Sequence, residues 1–117
     1  MAFKFEKLIV WQKAVDLSTQ IHLLTLNFSK DELYVLTSQL KRAADSISLN
    51  IAEGSTGQTN PEFKRFLNIA LRSCIEVVGC LHLAFNRNLI TQEQLLEYKN
   101  KCEEIVVMIN GLKKTLN

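Results

Sequence analysis

From Leu33 to Gly54, apolar residues recur at steps of three and four: Leu33, Leu36, Leu40, Ala43, Ala44, Ile47 and Ile51. That spacing puts them on one side of an α-helix, and a helix striped in this way has to bury that side against neighbours. Beside the stripe runs a second row of mixed polar type: Gln39, Arg42, Ser46, Asn50 and Glu53. A solvated face rarely holds such a row, so it reads as a hydrogen-bonded seam against another helix or a second subunit. Gly54 reads as the stop, where the chain turns through a left-handed conformation.

The same spacing recurs before and after this stretch. Val10, Ala14, Leu17, Ile21, Leu24 and Phe28 form the seam of a first helix over about 5–27. Leu8, Trp11 and Val15 add a second strip, and Trp11 reads as a core or subunit-interface residue. Ser29 with Glu32 fits a capping box that opens helix two, 30–54. Asn60 and Pro61 read as cap and first turn of helix three, 61–87. Its seam is Phe63, Leu67, Ala70, Cys74, Val77, Leu81 and Ala84, with Arg65, Asn68, Arg72 and Glu76 as a polar row beside it. Asn88 reads as its stop. Thr91 and Gln94 form another capping box, opening helix four, 91–115. One Pro and four Gly leave little room for β-turns in 117 residues. The expectation is a single all-α domain over 1–117, an antiparallel up-down-up-down four-helix bundle.

The run QLKRAADSISLNIAEG, followed by EFKRFLNIALRSCIEV, resembles the bacterial 23S rRNA intervening-sequence proteins. Relatives of that family are the accessory proteins of diversity-generating retroelements. The most specific blocks are Arg42-Ala43-Ala44, Asn50-Ile51-Ala52-Glu53-Gly54 and Glu62-Phe63-Lys64-Arg65-Phe66, and the likeness runs from the Phe5-to-Trp11 lead-in to the last helix. The resemblance implies a four-helix bundle, a non-enzymatic role beside RNA or in a ribonucleoprotein, and a pentameric ring. Ser29 and Ser48 stand where the family commonly has Pro, leaving helix two without an internal Pro. In the polar loop 54–60, Gln58 stands where family members often carry a basic residue. That loop has no phosphate-cradling motif and reads as a plain helix connection.

With a net charge of +2, the total does not argue for nucleic acid, and clustering of the charge matters more. Lys41-Arg42 and Lys64-Arg65, with Arg72, are the candidate nucleic-acid contacts, and Lys4, Lys7 and Lys13 line the first helix. By the antiparallel count the two pairs fall at opposite ends of a monomer, and a ring of subunits would multiply them. The same count brings Glu53 level with Arg65 and Arg42 level with Glu76. These pairs are expected to fix helix register or floor a subunit interface. The competing role for Glu53 or Glu76, a general base, lacks a partner in the sequence.

His22 and His82 lack the Glu-x-x-His spacing of di-metal bundles, so neither metal nor cofactor is expected. Cys74, Cys80 and Cys102 read as reduced core thiols, which fits the cytoplasm. The N-terminus does not read as a signal peptide, and no run of apolar residues reaches membrane-spanning length. Leu49, Phe66, Ile69, Val78, Phe85 and Val107 lie off the seams, a surplus that points to a homo-oligomer. A protein-interaction scaffold without nucleic acid is the alternative function.

Overall fold

The apolar sides of all four helices close on one interior, but Leu33, expected at the head of the α2 stripe, stands 47% exposed because the π-helical turn carries it out of the helix register. The computed structural model describes residues 1–57 and 59–117, with α1 (Ile9–Thr25), α2 (Ser38–Ser55), α3 (Asn60–Asn86) and α4 (Gln92–Lys114). Leu17, Ile21, Leu40, Ile47, Ile51, Leu67, Leu81, Ile105 and Ile109 are almost wholly removed from water and belong to a single apolar cluster. Each such side chain contributes roughly 1.5–3 kcal/mol by leaving water, which is why the stripe dominates local preference. Packing runs in a ring: α1 on α2, α2 on α3, α3 on α4, and α4 back on α1. Because the connections are short, sequential neighbours are antiparallel, and the fold is the up-down-up-down bundle. Trp11 sits at the core's edge, its ring meeting Phe5 edge-on at 4.9 Å.

The α2–α3 interface is the most extensive of the four. Ala43 and Ala44 on α2 and Ala70 on α3 are buried. Gly54 extends this close approach and does not act as a left-handed stop. It lies inside α2, no glycine among the described residues has positive φ, and a Cβ built on it would lie 2.6 Å from Phe66 Cβ. Glycine is required here because helix three's phenylalanines occupy the space.

Helix ends also depart from expectation. The Ser29 hydroxyl makes no capping bond. The chain instead enters α2 through a 3-10 turn, Lys30–Glu32, and a π-helical turn, Leu33–Thr37. The Glu32 carboxylate is drawn across to Arg87 at 2.9 Å, tying the start of this segment to the far end of α3. Helix one is likewise broken, with a 3-10 turn Lys4–Lys7 separated from α1 by extended Leu8. The cap of α3 is Thr59, whose hydroxyl accepts from the Glu62 N–H, so Asn60 is already helical. Thr91 and Gln94 do form the reciprocal capping box of α4. Asn88 ends α3 at φ 61°, where the Leu89 N–H reaches back to the Ala84 carbonyl. This is the left-handed close that asparagine tolerates. Gln58, whose side chain bears on the loop's expected lack of basic character, lies outside the described residues.

Contrary to the expectation from apolar runs, α3 is long and apolar enough to cross a membrane by length and composition. Its apolar seam is spent on the core, and Arg72 and Glu76 stand exposed at mid-length.

Candidate nucleic-acid interface

The polar row of α2 meets that of α3 through short side chains. Ser73, buried on α3, donates to Ser46 Oγ at 2.9 Å, and the Asn50 amide donates to the same oxygen at 2.9 Å. Spacing predicted the α2 members of this relay, while Ser73 was outside the predicted row. One helical step separates Ser73 from Arg72, enough to turn the hydroxyl inward and the guanidinium outward. The charged ends of the row do not pair as the antiparallel count suggested. Gln39, rather than Arg42, reaches Glu76, at 3.4 Å. The Arg65 guanidinium lies 4.7 Å over the Phe66 ring instead of on Glu53. Among the described residues neither Glu53–Arg65 nor Arg42–Glu76 is an ion pair. Phe66, pressed onto Gly54, offers Arg65 a π-face one residue away, and a half-exposed ion pair gains little to compete with it.

Charge on the surface gathers at two places. Lys41 lines a depression of about 310 Å³ with His22, Thr37, Arg42 and Asp45, between α1 and the start of α2. Arg42 also borders a larger cavity of about 620 Å³ on the α3 side, with Tyr34, Ser38, Gln39 and Glu76. The second concentration is at the other end of the bundle. There Lys64 lies beside Asn117 and shares a hollow of about 430 Å³ with Lys113 and Lys114. Sequence reasoning missed Lys113 and Lys114. Their position in the last turn of α4, antiparallel to the start of α3, is the signal that would have placed them beside Lys64. Lys4 joins the start of α3, its ammonium 5.4 Å over the Phe63 ring. Arg72 is exposed between the two areas. Lys13 is occupied by Glu104 of α4, at 2.7 Å.

A further cluster escaped the sequence reading. Asp45 Oδ1 accepts the Ser18 hydroxyl and lies 3.1 Å from His22 Nε2, tying α1 to α2. Ser18 and His22 are one turn apart, but only the register of α2 brings the carboxylate to them. The arrangement is no nucleophilic relay. The serine proton goes to the carboxylate, whereas activation requires it to go to the imidazole. Among the described residues, no three His, Cys, Asp or Glu side chains are grouped to hold a metal ion.

Burial pushes the Cys74 and Cys102 thiols up to about 12, with Cys102 adding to the rise at Cys74 and Glu103 to that at Cys102. Burial, with Glu76, also raises Cys80. All three cysteines are buried and unpaired. They are held as neutral thiols, poor nucleophiles and poor metal ligands.

These features define a class: an all-α, antiparallel four-helix bundle with exposed cations at two ends. Residues 6–111 match the 23S rRNA-intervening sequence protein family, and the chain belongs to it. A similar solved structure is that of a protein of unknown function from the S23 ribosomal protein family of Bacteroides thetaiotaomicron VPI-5482, determined at 1.70 Å resolution. The two share 28% identity with a TM-score of 0.81, over 91% of this chain and 99% of that one. No curated protein matches the chain.

Proposed function

We propose that this protein is a non-enzymatic, homo-oligomeric accessory factor that binds structured RNA or joins a ribonucleoprotein in the cytoplasm. The observation that carries the reading is the set of uncommitted cations. Lys41, Arg42, Lys64, Arg72, Lys113 and Lys114 enter no ion pair among the described residues. Phosphate neutralisation with release of counterions supplies most non-specific RNA affinity, and it needs cations not already neutralised by the protein. Arg42 and the Gly54 end of α2 are 12 residues apart, about 18 Å along the axis at ~1.5 Å per residue. One bundle therefore offers two separate contacts, and an oligomer repeats both. Membership of a family described by 23S rRNA points the same way, as do three unpaired cysteines for the compartment.

The test is binding of the purified protein to a structured rRNA fragment, titrated at several salt concentrations. Parallel samples carry Lys41, Arg42, Lys64 and Arg65 changed to Glu, and Lys64, Lys113 and Lys114 changed to Glu. Affinity should fall steeply with salt, and each variant should bind at least tenfold more weakly with a shallower salt slope. A folded oligomer that binds no RNA near physiological salt would replace this reading with a protein-interaction scaffold. The apolar groove between α3 and α4, where Ile75 and Val107 are exposed, is the observation that favours that second reading.

A further inference from the structure

Tyr34 stands almost fully in solvent, 88% exposed, on the π-helical turn that opens into α2. Tyr34, Ser38 and Arg42 follow one another at steps of four, so they form a ridge along the helix. The ridge divides two hollows, and each of its three residues lines both. On the α3 side, the hollow of about 620 Å³ holds Glu76 and Gln39, with the Gln39 amide 3.4 Å from the carboxylate. On the α1 side lie Lys41, His22 and Thr37, with an Asp45 carboxylate that is already taken up by Ser18 and His22. Thr37 is 5% exposed, and its hydroxyl has no hydrogen-bond partner among the described residues. Buried hydroxyls are nearly always satisfied, so an orphan in the wall of a hollow is itself unusual.

The chemistry of the two sides differs, and that difference selects the ligand. A carboxylate in the larger hollow disfavours a compact polyanion there. It favours a group with N–H donors on its edge. The ridge supplies a flat aromatic face, and Arg42 and Lys41 supply uncommitted positive charge. A ligand matching all three has a planar ring with an amino edge, and an anion attached a short distance away. We propose that this cavity is a nucleotide site that takes one unpaired RNA base. The base stacks on Tyr34 with its amino edge toward Glu76 and Gln39, and its phosphate rests on Arg42 and Lys41. An unpaired base is required because a helical duplex hides both the π-face and the pairing edge. Cytosine, adenine and guanine carry exocyclic amines that a carboxylate accepts from. Uracil sets two carbonyl oxygens beside its single N–H and is the poorest occupant. The site rests on the RNA-binding reading and adds to it the state of the RNA and the residues that sense it.

The experiment compares a fully paired RNA duplex with the same duplex carrying one bulged cytidine, by fluorescence anisotropy at fixed salt. Wild-type protein should bind the bulged duplex about tenfold or more tightly, the range that stacking of one base on an aromatic side chain supplies. Tyr34→Ala should abolish that preference while leaving affinity for the paired duplex unchanged. Tyr34→Phe should retain it, because the ring is kept. Glu76→Gln should narrow the difference between bulged cytidine and bulged uridine. Equal binding of both duplexes, unaffected by Tyr34→Ala, overturns the nucleotide site and leaves RNA binding standing. Failure to bind either duplex overturns both. Helix content and mass are measured on every variant. A fall in assembly mass with Tyr34→Ala would assign the ridge to a subunit interface and also overturn the proposal.

Discussion

Gly54 and Gly79 are both helical, and they answer to opposite surroundings. A Cβ on Gly54 would meet Phe66 Cβ at 2.6 Å and the Phe63 ring at 3.0 Å, while one on Gly79 meets nothing within 4 Å. Phe63 is anchored in the core, so the space beside Gly54 cannot open by rotation of one flexible chain end. Gly54→Ala should therefore destabilise the protein by about 1–3 kcal/mol, the cost of forcing a methyl group into a packed interface. Within a single chain, the same change at Gly79 removes only backbone freedom from the unfolded state and should stabilise by about 0.5–1 kcal/mol. Urea unfolding of the two variants checks both signs. A neutral Gly54→Ala would mean that α3 can slide away from α2 at little cost.

At the scale of elements, what the sequence made legible is what burial imposes periodically. The seams of the first three helices were readable, Leu33 apart, since removing one face from water forces the 3.6-residue repeat on whichever side chains carry it. The polar row on α2 was readable for the same reason, and Ser46 does engage a neighbouring helix, while Asn50 bonds back onto Ser46 within α2. Partner choice was not. Whether Arg42 or Gln39 meets Glu76 depends on a rotation of a few tens of degrees between helices, which spacing along one helix does not record. The cap of α3 was misplaced by one residue because Thr59 and Asn60 are both good caps. The π-helical turn before α2 had no sequence signal, and the exposed tyrosine it carries went unnoticed. The cysteines show how α3 and α4 depend on each other. Cys74 and Cys102 stay neutral to about 12 in the fold, against 9.0 for an unperturbed thiol. Between these values the unfolded chain has released protons that the folded chain still holds, so rising pH favours unfolding. Stability should be insensitive to these thiols below pH 9.0 and decline progressively above it. Changing both to Ala should lower stability at pH 7 but flatten that alkaline decline. Chemical denaturation across the alkaline range measures the slope, and an unaltered slope in the double variant would place the pH dependence elsewhere.

At the scale of the molecule, the surface holds more apolar area than one bundle uses. Phe66, Ile69, Val78 and Phe85, read from the sequence as surplus, are in fact half-buried within the monomer, whereas Leu49 and Val107 stay exposed. The most coherent remainder is the groove of about 590 Å³ between α3 and α4, where Ile75, Val78, Val106 and Val107 line one trough and Lys99 and Glu103 stand among them. Gly79 lies in the same trough with open space above it. An apolar trough with a charged border has the composition of a subunit contact, so self-association is expected to run through this face. Light scattering on the wild-type protein should give a multiple of the 13.4 kDa chain mass, and five copies is the number the resemblance implies. Val107→Lys should reduce that mass to a single chain while leaving the helical signal unchanged, because Val107 is 70% exposed and contributes little to the monomer core. A wild-type protein that is monomeric at micromolar concentration would remove the homo-oligomer from the proposal. RNA binding gives the same variant a second readout. If affinity depends on several bundles engaging one RNA, the Val107→Lys monomer should bind at least a hundredfold more weakly through loss of avidity alone. Equal affinity would show that the cations of one bundle suffice. Assembly would then serve some purpose other than extending the cationic surface.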